Sequence, residues 1–151
     1  MVQAADNHVW SSPVLYSPAP AAAEVALAAL ADDLPQQTRE QFLRLLHVVV
    51  GGEGTDHVAA AAGLDLPGLC EQIARRGMWL LYQELMSARS ADSAAMTFEL
   101  LAELEPDRER LRQVQIVLSE KLPWDLRRGA LNDPFGDKPH VGEFDLPKLF
   151  D

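Results

Sequence analysis

Residues 55–77 read TDHVAAAAGLDLPGLCEQIARRG, and this stretch is the most informative for predicting the fold. It contains a short helical segment, a glycine turn and a second helical segment, a pattern typical of the helix-turn-helix motif. The small side chain of Ala59 lets the two helices cross closely, Gly63 fits the left-handed turn position, and Leu69 is expected to fill the angle between the helices. An ordinary helical hairpin is the alternative interpretation of the same pattern.

The second helix of the motif is expected to follow Asp65 as its N-cap, with Pro67 in the first turn. Leu69 and Ile73, four residues apart, then form the inward-facing pair. Base-reading side chains lie on the opposite, outer face of such a helix. With this register the outer face consists of Leu66, Pro67, Cys70, Glu71 and Ala74.

The candidate DNA contacts are few. The predicted outer face has no good donor to a guanine edge, and Gln72 lies one position away from it. Arg75 and Arg76 at the end of the helix are placed to touch phosphate or to complement the helix dipole. Arg39 and Arg44 are the only basic residues before position 75, so they complete the candidate set.

The segment before the motif is predicted to hold an arm and two helices. Residues 1–20 contain three prolines and no periodicity, which indicates a flexible arm. A short Ala-rich helix is expected over residues 21–31. Thr38 followed by Gln41 fits a capping box, and apolar residues then repeat at helical spacing up to a pair of glycines. Residues 21–77 are therefore predicted to be one helix-turn-helix module.

Residues 78–123 are predicted to form two antiparallel helices joined by a tight turn, a hairpin suited to oligomerisation. The candidate oligomerisation stripe consists of Leu101, Leu104, Leu111, Val114 and Leu118. Residues 124–151 are expected to be a mostly irregular tail with room for one short strand. Its apolar points, candidates for partner binding, are Phe144, Leu146, Leu149 and Phe150. The fold class predicted for the chain is all-α.

The charge of the chain argues against strong binding of nucleic acid by a single copy. The 151 residues include 23 acidic and 13 basic side chains, which gives a formal net charge of −10. Residues 1–74 carry nine of the acids and two of the bases. Because Lys and Arg drive affinity for phosphate, a DNA-binding function requires several copies acting together.

Catalytic and metal-binding patterns are not evident, so an enzyme is the least supported class and no cofactor is expected. Phosphate-loop and nucleophile-elbow motifs are missing, and the four histidines are too scattered for metal-ligand spacing. Cys70 is the single cysteine, so an internal disulfide is impossible. With no basic leader at the start and no apolar run near 20 residues, the expected location is the cytoplasm and no membrane partner is expected.

Two stretches together resemble the small terminase subunits of tailed bacteriophages. They are HVAAAAGLDLPGLCEQIARRGMWLLYQEL at residues 57–85 and AAMTFELLAELEPDRERLRQVQIVLSEKL at residues 94–122. The first is similar to the DNA-recognition module of that family, and the second to the oligomerising hairpin that follows it. The chain departs from the pattern at Gln72, where an apolar residue is usual, and in its acidic N-terminal half.

The resemblance implies a non-catalytic DNA-packaging protein. Members form rings of about eight to twelve subunits, bind double-stranded viral DNA and recruit the large terminase subunit, an ATPase-nuclease. Two other functions stay open on the residues alone. One is a dimeric helix-turn-helix regulator of transcription. The other is an acidic helical adaptor that binds a partner protein and no DNA.

Overall fold

The computed structural model describes residues 9–11, 13–123, 126 and 127, and the predicted all-α class is confirmed. Seven helices and three two-residue strands succeed one another in this part of the chain. In chain order they are β1 Trp10–Ser11, β2 Val14–Leu15, α1 Ala19–Ala31, α2 Gln36–Val50, β3 Gly54–Thr55, α3 His57–Ala61, α4 Leu66–Arg76, α5 Met78–Ser87, α6 Ala91–Leu104 and α7 Arg108–Val117. None of these helices is long and apolar enough to cross a membrane.

The prediction of a flexible arm is wrong for residues 9–11 and 13–20. β1 pairs antiparallel with β2, and β2 pairs in parallel with β3. Leu15 is 1% exposed and lies against Gly52, where an added Cβ would come within 2.5 Å of the Leu15 Cγ. The parallel pairing of β2 with β3 joins residues about 40 positions apart, so no local periodicity of the sequence predicts it. Residues 1–8 lie outside the described part.

The helix before the motif begins earlier than predicted. α2 starts at Gln36, and its N-cap Pro35 makes no side-chain capping bond, so the capping box at Thr38 and Gln41 is wrong. The backbone N–H of Thr38 instead donates to the carbonyl of Pro35. Pro35 favours a helix start at the next residue because its missing N–H and its ring prevent the continuation of a preceding helix, whereas its preset φ fits a helix boundary.

α3 and α4 form the predicted helix-turn-helix. Asp56 caps α3, because its carboxylate accepts from the backbone N–H groups of Val58 and Ala59. Gly63 has a φ of +76°, the left-handed conformation expected for the turn. The carboxylate of Asp65 caps α4 as predicted. The second helix of the motif, α4, packs onto α1 and α2.

Residues 78–122 form three helices, and the predicted two-helix hairpin is wrong. Ala88, with a φ of +40°, ends α5. Ser90 and Ser93 then form a reciprocal capping box that starts α6. The loss of apolar periodicity over residues 87–93 thus marks a helix break. α6 packs against α5 and α2, and α7 follows after a break at Glu105.

Candidate nucleic-acid interface

α4 is rotated relative to its predicted register. Ile73 faces inward as expected, but Leu69 is 37% exposed and does not fill the angle between the helices. Three residues predicted on the outer face, Leu66, Cys70 and Ala74, are at most 1% exposed. They pack toward α1, whose inner face is built from alanines that let the two helices come close. The predicted and the observed buried residues of α4 both follow helical spacing. Packing against α1 therefore determines which set is buried.

The rotation changes which side chains of α4 face solvent. Leu69, Gln72, Arg75 and Arg76 are all exposed. Gln72 therefore does not occupy a core position, and the adjacent Ile73 is the buried apolar residue. The exposed side of α4 combines one amide, one aliphatic side chain and two guanidinium groups, with the 44% exposed carboxylate of Glu71 beside them.

A shallow groove of about 370 Å³ lies where this face meets the turn. The side chains and backbone that line it are those of Gly63, Leu64, Asp65, Gly68, Leu69 and Gln72. Asp65 contributes a carboxylate to the groove, and one of its oxygens accepts from the backbone N–H of Gly68 at 3.1 Å. The groove therefore presents apolar and amide surface beside one acid.

The two arginines of α4 are held only weakly. Arg75 forms an exposed ion pair with Glu71, with 2.7 Å between Nη2 and Oε1. Nη2 of Arg76 lies 3.5 Å from the Oε1 of Gln72, which is a long hydrogen bond. Exposed pairs of this kind contribute about 0–1 kcal/mol, so a phosphate can replace these partners at small cost.

Arg39 is not a DNA contact, and that prediction is wrong. It is 5% exposed, and its Nη2 lies 2.6 Å from the carboxylate of Glu84. Its guanidinium also donates to the backbone carbonyls of Leu30 and Asp32 at the end of α1. The position of Arg39 among polar residues at the start of α2 gives no indication of this role. Arg44, in contrast, is exposed, as its predicted role requires.

Most of the predicted oligomerisation stripe lies inside a single chain. Leu101, Leu104 and Leu111 are 0% exposed and Leu118 is 4% exposed, so they belong to the core and are not at a surface. Val114 is partly buried. The stripe is apolar because its leucines form part of the hydrophobic core of a single chain. The predicted partner-binding residues of the tail lie outside the described part of the chain.

Exposed apolar side chains that sequence reasoning missed occur on α5 and α7. Trp79 is 63% exposed and Met86 is 49% exposed, seven residues apart on α5. On α7, Ile116 is 59% and Val117 70% exposed. The sequence predicts that the apolar residues of α5 lie in the core, because Met78, Leu81 and Leu85 repeat at helical spacing. Only the packing of the neighbours distinguishes the two faces.

A second cavity, of about 520 Å³, is acidic and shares no lining residue with the α4 groove. Its lining consists of Pro13, Leu15, His47, Val48, Gly51, Gly52, Glu53 and Glu103. His47 Nε2 is 3.8 Å from a carboxylate oxygen of Glu99. Burial, with the nearby charge of Glu99, raises the pKa of Glu103 against the opposing effect of His47. The carboxylates would repel phosphate, so this cavity is not part of a DNA-binding surface.

A metal-binding cluster and an activated thiol are both missing from the described residues. Among residues 9–11, 13–123, 126 and 127, no group of three His, Cys, Asp or Glu side chains is arranged to hold a metal ion. Burial raises the pKa of the Cys70 thiol to about 11, so this thiol is not activated. Comparison of the chain with protein-family models, curated proteins and solved structures gives no match.

Proposed function

We propose that this chain is a non-catalytic DNA-packaging protein that binds double-stranded viral DNA through the outer face of α4. One observation carries the proposal: a helix-turn-helix presents Gln72, Arg75 and Arg76 on the exposed side of its second helix. Amide and guanidinium groups are the side chains that bind base edges and phosphates most often. In keeping with the resemblance, the bound complex would recruit the large terminase subunit in the host cytoplasm.

The charge of the chain requires that several copies act together. A single copy with a net charge of −10 is repelled by DNA beyond the immediate contact. Linking several α4 faces in one ring of about eight to twelve copies turns weak single contacts into strong total binding. The proposal therefore includes oligomerisation as a condition of function.

The proposed subunit contact is the exposed apolar face of α5, in place of the buried leucine stripe. Trp79 and Met86 lie on this face. The only charged residue of α5 is Glu84, and it is buried against Arg39. In a ring the α5 face of each copy would contact a different surface of the next copy, and α5 brings no exposed charge to that contact. Aromatic side chains at such positions are common binding hot spots.

Replacing Arg75 and Arg76 together with alanine should weaken DNA binding. The slope of the logarithm of the binding constant against the logarithm of the salt concentration should become less steep by about one for each phosphate that the variant no longer neutralises. The measurement is fluorescence anisotropy of a labelled duplex titrated with the full chain at several salt concentrations. Arg112→Ala is the matched control, because Arg112 is 56% exposed and paired with Glu109 in the same way. Equal salt slopes for the double variant and the control would exclude α4 as the DNA contact.

Trp79→Ala should lower the native mass of the protein. At a concentration low enough to dissociate wild type as well, its free energy of unfolding should differ from wild type by less than about 0.5 kcal/mol, as expected for a surface substitution. Native mass spectrometry and a denaturant titration measure the two quantities. Val25→Ala, which truncates another side chain that is 58% exposed, is the control and should leave the mass unchanged. An assembly that keeps its full mass in Trp79→Ala would place the subunit contact elsewhere.

A second candidate is the acidic adaptor that binds a protein through the same groove. Leu64 is 44% exposed and Leu69 is 37% exposed, and both line the groove, where an apolar partner side chain would fit. This function predicts no DNA binding even at low salt. A transcriptional regulator, in contrast, predicts a dimer with tight binding to one sequence.

A further inference from the structure

We infer that α4 reads A·T base pairs in the major groove, with Gln72 contacting adenine and Leu69 contacting the methyl group of thymine. The inference rests on the proposed DNA-binding function and adds a base preference to it. It follows from the observed register of α4, in which both side chains are exposed and line the groove beside the turn.

The order of side chains along α4 determines which of them can face the bases. The N-terminal part of a recognition helix approaches the base edges, and its far end lies nearer the backbone. The first eight residues of α4, residues 66–73, contain no Lys or Arg. Arg75 and Arg76 come only at the last two positions, where they are placed for phosphates. The usual guanine reader, an arginine in the first turns, is therefore lacking in α4.

Gln72 matches adenine better than any other base. Its amide can donate to N7 and accept from the N6 amino group, whereas guanine offers two acceptors at these positions. The amide is available, because its one described side-chain hydrogen bond is the 3.5 Å contact with Arg76. Exchanging that long bond for two bonds to adenine is favourable.

Leu69 matches thymine for a complementary reason. It lies three residues before Gln72, one helical turn away on the same face. An aliphatic side chain packs against the C5 methyl of thymine, but it would leave the amino group of cytosine without an acceptor. In the free protein the two nearby carboxylates already have partners, since one oxygen of Asp65 caps the helix and Glu71 pairs with Arg75.

Chemical substitution in the DNA tests both contacts in the full-length protein. Duplexes of about 20 base pairs, either A·T-rich or G·C-rich, are compared by anisotropy at low salt, a length that covers a typical site. Replacing thymine with deoxyuridine removes the methyl, and replacing adenine with 7-deazaadenine removes N7. Wild type should lose about fourfold in affinity from the first change and about five- to one-hundredfold from the second.

The variants decide whether each loss comes from the named side chain. Leu69→Ala should bind thymine and deoxyuridine duplexes equally, and Gln72→Ala should bind adenine and 7-deazaadenine duplexes equally. Gln37→Ala, an exposed glutamine on α2, should respond as wild type does. Salt-dependent binding that is the same for A·T-rich and G·C-rich DNA would overturn the inference and leave the proposed function intact. No binding to any duplex at low salt would overturn both.

Discussion

Replacing Arg39 with alanine is expected to lower the free energy of unfolding by about 3–5 kcal/mol, because the change leaves Glu84 as an unpaired buried charge. The pair is nearly inaccessible to water, with side-chain exposures of 6% and 3%. One oxygen of Glu84, Oε1, already has no hydrogen-bond partner among the described residues. The same guanidinium binds two carbonyls at the end of α1, so a single side chain connects α1, α2 and α5.

Denaturant titration followed by circular dichroism measures this loss. Arg112→Ala, at an exposed ion pair, should change the free energy of unfolding by less than about 1 kcal/mol. The double variant Arg39→Met with Glu84→Leu should recover part of the lost stability, because it removes the unpaired charge but leaves the carbonyls of Leu30 and Asp32 without their donor. A cost below about 1 kcal/mol for Arg39→Ala would show that water reaches the pair.

Replacing Leu111 with alanine is expected to cost about 2–5 kcal/mol of folding stability without dissociating an assembly. Leu111 is 0% exposed within one chain and begins the buried side of α7. The resemblance to oligomerising hairpins predicts a subunit contact for this residue. In the structure its side chain fills the monomer core, so truncation leaves a cavity there.

Native mass and thermal unfolding of Leu111→Ala distinguish the two roles. We expect a lower melting temperature, with an unchanged subunit number at temperatures where the variant is folded. Trp79→Ala should show the opposite behaviour, and the two variants thus serve as controls for each other. A Leu111→Ala protein of unchanged stability and reduced native mass would contradict the core role and place Leu111 at a subunit interface.

Local patterns in the sequence are sufficient to predict the motif and much of the helical fold. Gly63 adopts the left-handed conformation that its place between two helices predicts. Asp65 caps α4, and Pro67 lies in its first turn, because both preferences depend on the backbone of the residue itself and its near neighbours. Such features do not require knowledge of the rest of the fold.

The features that the sequence does not predict depend on distant neighbours. The rotation of α4 follows from packing on α1, and the pairing of β2 follows from the position of β3. Arg39 and Glu84 are 45 residues apart, so no spacing rule links them. The sequence alone points to Gln72, Arg75 and Arg76 as candidate DNA contacts, but only the observed register of α4 brings them together with Leu69 on one exposed face.

The most direct test of the proposed function is the native mass of the full chain, measured alone and with a double-stranded DNA at low salt. We expect an assembly of about eight to twelve chains, and with DNA present we expect the same assembly plus the mass of the bound DNA. A monomer that binds no DNA under these conditions would contradict the proposed function.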